Sequence, residues 1–320
     1  MKKYPLYPLR LIPIPTAKIW GGTKLSARYA KPLPDKADKE APGSNIRLGE
    51  SAELIISAEN CSVIGNGECA GLRLDRYLRI RKASKFPVMV KYIDAGSTLS
   101  VQVHPDDAYA GRNDGGKLGK TEAWLIVDAP EGSKIVYGIK AGTTAAQLRT
   151  ACEAGAAVEP LLRRVNVKPG DVCFIPAGCV HAIGAGILLY EIQQSSDVTY
   201  RFYDWDRVDA RGQRRELHID KALDVMNLRF ALKPIHASDK PVERVLDEAF
   251  FTLDLFNVRG ACRLPAINEF GLLTVLDDGL TLTAEGYEHV LSKGESFYLP
   301  TRCPALTLRG SGRAALSMPH

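Results

Sequence analysis

The stretch that decides the fold is Lys-Pro-Gly-Asp-Val-Cys-Phe-Ile-Pro-Ala-Gly-Cys-Val-His, at positions 168–181. Pro169 and Gly170 are a strong turn signal, because proline presets φ at one corner of a turn and glycine accepts a positive φ at the next. The apolar run 172–175 that follows is typical of a short buried strand. A second turn then leads directly into His181, so the stretch predicts a strand, a turn and a histidine delivered to the sheet.

The same arrangement returns near the end of the chain, at positions 293–300, which read Lys-Gly-Glu-Ser-Phe-Tyr-Leu-Pro. The next residues are Thr-Arg-Cys-Pro, so this second copy has no histidine where the first has His181. Two such copies predict two similar β units, of which the second is degenerate. We expect the second unit to bind no metal. It would instead serve packing or the closure of a site in the first unit.

A Pro-Gly-Asp turn followed by Ile-Pro-x-Gly-x-x-His resembles the pattern of cupin-type jelly rolls. This resemblance implies a mainly β fold made of two cupin-type jelly-roll units with a small helical insertion. The expected parts are an N-terminal arm (1–50) that packs on the first roll, a catalytic roll (50–235) and a metal-free second roll (245–320). Helical patterns appear near 143–155, with Thr144 near the cap, and near 217–227.

Candidate metal ligands lie upstream of the fold-deciding stretch. Gln102 and His104 alternate with valines, and Lys120 and Glu122 share the same period of two. In strands, that spacing places each pair on one face of the sheet. Two histidines and a glutamate on neighbouring strands can hold a divalent metal and leave a coordination position open, as a catalytic metal requires. His181 would supply the second histidine.

Four separate segments carry a family resemblance, in the same order and at the same spacing. They are 91–107, 119–124, 176–184 and 190–205, with weaker echoes at 18–22 and 49–53. Together they resemble type I phosphomannose isomerase (mannose-6-phosphate isomerase) in its short bacterial form. Ala52 departs from the pattern, because many relatives carry tryptophan there, but it touches no proposed ligand.

The resemblance implies a metal-dependent aldose–ketose isomerase that interconverts mannose 6-phosphate and fructose 6-phosphate through an enediol. The matching metal ligands are Gln102, His104, Glu122 and His181, and the expected ion is one Zn²⁺ per chain, with other divalent metals as substitutes. Gln102 has an alternative role as a hydrogen-bond donor behind the ligands. Cys179 is a weaker ligand candidate, since a buried cysteine is usually a small hydrophobe.

Further residues match the family's catalytic and substrate-binding positions. The catalytic candidates are Arg201, which would stabilise negative charge, and Lys120, which would act as acid or base. An alternative for Arg201 is an ion pair with Asp197 or Asp204. The candidates for binding the sugar or its phosphate are Lys91, Ser100, Asp197 and Arg207.

Composition narrows the class of partner. The 320 residues carry a formal net charge of +5, which suits an anionic small molecule. No nucleic-acid-binding motif and no run of about 18 apolar residues occurs. Seven cysteines without a CxxC pair, and no leader-like apolar start, predict reduced thiols in the cytoplasm. We therefore expect a phosphosugar as partner, no nucleic acid, no membrane, and a monomer or homodimer.

Two other functions are compatible with parts of this pattern. A cupin oxygenase would use iron at a similar ligand set, but Gln102 and the segment around Arg201 argue against it. A sugar-binding or regulatory protein without turnover would keep the metal site, yet it would have no need of both Lys120 and Arg201. An isomerase assay with mannose 6-phosphate separates these alternatives.

Overall fold

The structure is a computed structural model that describes residues 6–34, 47–57, 59–82, 86–208 and 212–320. Its helices are α1 (Lys24–Tyr29), α2 (Leu74–Arg81), α3 (Asp107–Asn113), α4 (Ala145–Glu153) and α5 (Ile219–Val225), with 3₁₀ turns at Gly67–Cys69 and Gly155–Leu161. Its strands are β1 (Leu9–Ile12), β2 (Ile14–Gly22), β3 (Leu48–Leu54), β4 (Val63–Ile64), β5 (Val88–Asp94), β6 (Val101–Val103), β7 (Glu122–Asp128), β8 (Lys134–Ile139), β9 (Leu162–Asn166), β10 (Asp171–Ile175), β11 (His181–Ala182), β12 (Leu188–Gln194), β13 (Tyr200–Tyr203), β14 (Ile235–His236), β15 (Val242–Glu248), β16 (Phe251–Arg263), β17 (Phe270–Val275), β18 (Leu280–Ala284), β19 (Tyr287–Leu291), β20 (Ser296–Pro300) and β21 (Thr307–Pro319). The expected mainly β, cupin-type fold is confirmed.

Two antiparallel sheets form the first roll within the described residues. The larger has seven strands in the order β14-β10-β7-β12-β5-β3-β2, and the smaller has five in the order β13-β6-β11-β8-β9. A shared apolar cluster joins them, with Trp124 and Leu189 from the larger sheet against Ile135 and Tyr137 from the smaller. The proposed ligands come from both sheets, so their closeness depends on how the sheets face each other.

The second roll is built on a nine-stranded sheet in which β16 and β21 pair along their full lengths. Its interior is a filled apolar core that includes Phe256, Leu273 and Phe297. The N-terminal segment is divided between the two rolls, because β1 pairs with β20 whereas β2 pairs with β3. The domain boundaries at 50, 235 and 245 remain a prediction.

The two related turns adopt the same backbone conformation. Gly170, between β9 and β10, has φ +89°, and Gly294, between β19 and β20, has φ +84°. This left-handed region is accessible to glycine at low cost. The repeated sequence pattern therefore corresponds to a repeated turn in the structure.

The helices differ in how well their periodicity predicts them. α4 and α5 lie inside the predicted ranges, and Thr144 caps α4 in a capping box with Gln147. In contrast, α2 and α3 lie outside both ranges in which the sequence predicts a helix. The side chain of Asp106 accepts a hydrogen bond from Tyr109 N and so starts α3 directly after Pro105.

None of the described helices has the length and apolar character needed to cross a bilayer.

Candidate metal and substrate site

Three predicted ligands meet in one buried cluster. The ligand atoms of His104, Glu122 and His181 all lie within 4.8 Å of one another. Glu122 Oε2 is 3.6 Å from His104 Nε2, and Oε1 is 3.4 Å from His181 Nε2. His104 follows the end of β6, Glu122 begins β7 and His181 begins β11. The period-two spacing thus predicts the correct faces, and the sheet arrangement brings the three side chains together.

Backbone carbonyls fix both histidines in one tautomer. His104 Nδ1 is 2.8 Å from Val198 O, and His181 Nδ1 is 2.9 Å from Cys179 O. Because a carbonyl only accepts, each Nδ1 carries the hydrogen and each Nε2 keeps a free lone pair. Burial lowers the pKa of His104 well below its ordinary value and that of His181 to about 4. Both rings are therefore neutral near pH 7, the form that binds metals.

Glu122 is the clearest sign that the cluster is built for a cation. The residue is fully buried, and among the described residues no group donates a hydrogen bond to either carboxylate oxygen. Lys120 Nζ lies 2.6 Å from Oε2 as an ion pair, without hydrogen-bond geometry. A buried carboxylate left in this state is costly unless a further positive group satisfies it. Two imidazole nitrogens and one carboxylate are a donor set that fits a divalent metal.

Gln102 lies beside this donor set. Its side-chain Nε2 is 3.2 Å from His181 Nε2, and its Oε1 is 3.4 Å from the Ser100 hydroxyl. In this orientation the amide donates to His181, which corresponds to the alternative role predicted for it. Ligation of a metal would require the amide to turn its oxygen toward the cluster.

Cys179 takes no part in the cluster. It is 1% exposed and packs in the apolar core between the two sheets, where its thiol contacts Val180 O at 3.7 Å. Burial raises the pKa of the thiol to about 12, so it stays protonated. All seven cysteines are free thiols, and five of them are buried.

Two lysines and two further glutamates surround the cluster on the inner face of the larger sheet. Lys120 Nζ lies 3.3 Å from His104 Nε2 and 3.9 Å from Glu191 Oε1. Lys91 Nζ lies 3.4 Å from Glu191 Oε1 and 3.8 Å from Glu50 Oε2. Burial alone would lower the pKa of Lys91, but the Glu50 and Glu191 carboxylates raise it above its ordinary value. Lys91 therefore stays charged inside the protein.

Arg201 and Ser100 line the opposite side of the site, on the smaller sheet. Arg201 pairs with Gln102 across β13 and β6, and its Nε donates to Ser100 Oγ at 3.1 Å. Its Nη1 donates to Glu216 O at 3.2 Å. Because Ser100 also contacts Gln102, these three side chains form a continuous polar path toward His181. The structure thus brings both candidates next to the cluster.

Two predicted substrate-binding residues are held by other partners. Asp197 is exposed and forms an ion pair with Lys117 at 2.8 Å. Arg207 Nη2 donates to Asp204 at 2.6 Å, and its Nη1 donates to Thr98 O at 3.0 Å. Asp204 also binds Arg215. The carboxylates predicted as alternative partners for Arg201 are thus engaged with Lys117, Arg207 and Arg215.

Glu50, Glu191 and Trp124 have no role in the sequence-based prediction, yet they lie at the site. Trp124 Nε1 donates to Glu191 Oε2 at 2.9 Å, and Glu191 pairs across the sheet with both Lys91 and Trp124. The sequence does contain a sign of Glu191: this glutamate lies in a largely apolar segment that becomes β12, and β12 is buried along its whole length, Leu188–Gln194. A buried charge in a continuous buried strand calls for charged partners.

Known proteins resemble this chain along nearly its whole length. The family model described as the cupin domain of mannose-6-phosphate isomerase matches residues 243–319. A mannose-6-phosphate isomerase of Bacillus subtilis is 35% identical over 97% of this chain and 98% of its own. Another, of Streptococcus mutans, is 35% identical over 88% and 89%. The crystal structure of the mannose 6-phosphate isomerase from Bacillus subtilis superposes with a TM-score of 0.83 at 30% identity, covering 97% of this chain and 99% of that one.

Proposed function

The chain belongs to the mannose-6-phosphate isomerase family, and from that membership we propose that it interconverts mannose 6-phosphate and fructose 6-phosphate by a metal-dependent enediol mechanism. The observation that carries the proposal is the buried His104–Glu122–His181 cluster, whose carboxylate oxygens accept no hydrogen bond from the described residues. Family membership supports the identity of the reaction, and the buried cluster supports a metal site at which the reaction can take place.

His104, Glu122 and His181 would hold one divalent ion, with Gln102 as a fourth candidate ligand. Neutral imidazole nitrogens with a single carboxylate favour zinc, and manganese, cobalt or iron are possible substitutes. When bound, such an ion supplies positive charge that polarises the sugar oxygens. The hydrogen bonds that His104 and His181 donate to Val198 O and Cys179 O keep both imidazoles oriented for this task.

The reaction moves a proton from carbon 2 of the aldose to carbon 1, with an enediol between the two steps. We propose Lys120 Nζ as the group that carries this proton, because it lies 2.6 Å from Glu122 and 3.3 Å from His104 at the edge of the cluster. Arg201 would stabilise the negative charge of the enediolate or the phosphate. Its guanidinium stays charged at any working pH, so it is a poor base.

Binding of the phosphosugar would rely on the remaining cationic and hydroxyl groups. Lys91 and Ser100 lie next to the cluster and are the better placed of the four substrate-binding candidates. Asp197 and Arg207 would have to exchange present partners to reach the same ligand. The partly exposed side chains of Lys18, Glu50 and Gln102 mark the side from which a sugar would enter.

The test is an assay of the purified protein with mannose 6-phosphate, in which formation of fructose 6-phosphate is followed. We expect turnover that is lost after dialysis against a chelator and restored by added Zn²⁺. The His104→Ala/His181→Ala variant should not be restored. Turnover that survives complete metal removal would contradict metal dependence, and no turnover in any metal form would contradict the reaction itself.

A further inference from the structure

We propose that Glu191 is a positioning residue for Lys120: its carboxylate holds the lysine ammonium group at the edge of the metal cluster. The inference rests on the proposed function, since it assigns Glu191 a part in that reaction. Glu191 touches none of the proposed ligands in ion-pair or hydrogen-bond contact among the described residues, so any effect on turnover would pass through its neighbours.

The position of Glu191 follows from the strand register. It lies in β12, the central strand of the larger sheet, directly opposite Lys91 on β5 and Trp124 on β7. Side chains at directly opposite positions share one face and interact. The indole of Trp124 fixes Oε2 at 2.9 Å. The other oxygen, Oε1, is therefore aimed between two ammonium groups, 3.4 Å from Lys91 and 3.9 Å from Lys120.

Lys120 needs a partner that does not itself bind metal. Its nearest neighbours are Glu122 at 2.6 Å and His104 at 3.3 Å, and both are proposed ligands. An ion at the cluster takes up the same lone pairs that now face the lysine. Among the described residues, Glu191 is the carboxylate that pairs with Lys120 and lies outside the ligand set. It can hold the ammonium group whether or not the ligands are engaged.

Lys91 lies closer to Glu191 than Lys120 does, at 3.4 Å against 3.9 Å, but it has a second carboxylate partner outside the ligand set. Its ammonium group also pairs with Glu50 at 3.8 Å, so one carboxylate remains if Glu191 is changed. We therefore place the effect on Lys120, and a double-variant experiment separates the two lysines.

Glu191→Gln is the informative substitution, because the amide oxygen can still accept from Trp124 while the charge is removed. We expect kcat to fall by about 10- to 100-fold, the loss typical of a displaced catalytic group, with KM for mannose 6-phosphate changed by less than about threefold. Zinc affinity, measured by competition with a chromophoric chelator, should stay within the same factor. In a Lys120→Met background, Glu191→Gln should cause no further loss of kcat, whereas in a Lys91→Met background it should cause the full loss.

Glu53→Gln is the matched control. Glu53 is equally buried, at 1% exposure, but it pairs with Lys31 at 2.7 Å on the other side of the sheet. We expect this variant to lower Tm and leave kcat at the parental value below the melting range. It separates loss of a buried carboxylate from loss of Lys120 positioning.

Three results would decide against the inference. Parental kcat in Glu191→Gln would overturn it, and so would a loss that adds fully to that of Lys120→Met. If Glu191→Gln does not fold, Glu191→Asp decides instead: it keeps the charge but retracts it by one methylene, and parental kcat there would overturn the proposal. An inactive parent protein would overturn the proposed function itself, a result distinct from an active parent with an unaffected variant.

Discussion

At the scale of single residues, the candidate metal site formed by His104, Glu122 and His181 leads to a direct prediction. His104→Ala/His181→Ala removes both imidazoles and leaves the Glu122 carboxylate alone, so we expect the parent protein to carry a divalent metal and the double variant to carry none. Elemental analysis of the purified variant measures this. His236→Ala is a suitable control, since His236 is half exposed and pairs with Asp171 away from the cluster. Full metal occupancy in the double variant would refute the assignment of ligands.

The buried histidines also predict how the metal-free protein responds to acid. The pKa of His181 is lowered to about 4 by burial, below the ordinary value of 6.5. The unfolded chain therefore binds this proton more readily, and stability falls as the pH drops from about 6.5 toward 4. The loss from His181 is of order 3 kcal/mol, because a tenfold difference in proton affinity corresponds to about 1.4 kcal/mol. Melting temperatures of the apoprotein against pH would measure it, and His181→Gln should give a flatter curve over that window.

Arg201 is expected to act on charge in the transition state and to contribute little to folding. Its side chain contacts the Ser100 hydroxyl and the Glu216 backbone carbonyl. Its backbone lies on the short strand β13, opposite Gln102 on β6. Arg201→Ala should lower kcat by about 100-fold, which corresponds to about 3 kcal/mol of barrier, and should retain metal and a near-normal Tm. Arg201→Lys should recover part of the rate, because it keeps the charge but not the planar fork.

Steady-state kinetics, metal content and calorimetry on the two Arg201 variants test this role. A parental kcat and KM in Arg201→Ala would make the assignment wrong and direct attention to Lys120. Loss of metal or of folding would instead show that the arginine is structural.

At the scale of elements, α4 illustrates how the residue before a short helix determines where the helix begins. The Thr144 hydroxyl accepts from Gln147 N at 3.2 Å, and the Gln147 side chain accepts from Thr144 N at 2.9 Å. Thr144→Ala removes the cap and should cost about 1 kcal/mol of unfolding free energy, measured by urea denaturation. Thr150→Ala, in the exposed interior of the same helix, is the control and should be neutral or slightly stabilising, since alanine is the better helix former. Equal losses in both variants would contradict the role of Thr144 as the cap.

At the scale of the whole molecule, a buried ion pair joins the two rolls. Lys31 Nζ lies 2.7 Å from Glu53 on β3 and donates to Gly294 O at 2.6 Å, while the Ser296 hydroxyl on β20 donates to Glu53 at 2.9 Å. Both charged side chains are almost fully buried. A pair of this kind is costly to break from one side, because the remaining buried charge has no oppositely charged partner.

Lys31→Met should therefore destabilise the protein by about 3–5 kcal/mol, the range found when one partner of a buried pair is removed. Lys31→Met/Glu53→Gln should recover part of that loss, since no unpaired carboxylate remains. Thermal or urea unfolding of the two variants measures the difference. A double variant less stable than the single one would show that the two side chains do not act as a pair.

The sequence alone was enough for the fold class, both related turns, the helices predicted near 143–155 and 217–227, and the three residues that meet in the candidate metal site. The fold class follows from the resemblance to cupin-type jelly rolls. The rest follows from local pattern: a Pro-Gly or Lys-Gly turn, a capping threonine, alternation that assigns a side chain to one face of a strand, and the turn that precedes His181. The tertiary structure alone decided which faces meet. Glu191 stands opposite Lys91 and Trp124 because β12 pairs with β5 and β7 in one register, and strands distant in sequence carry no local record of that register. For the same reason Asp197 matches the family pattern in sequence, yet its charge is taken up by Lys117, a partner distant in sequence that only folding brings within reach.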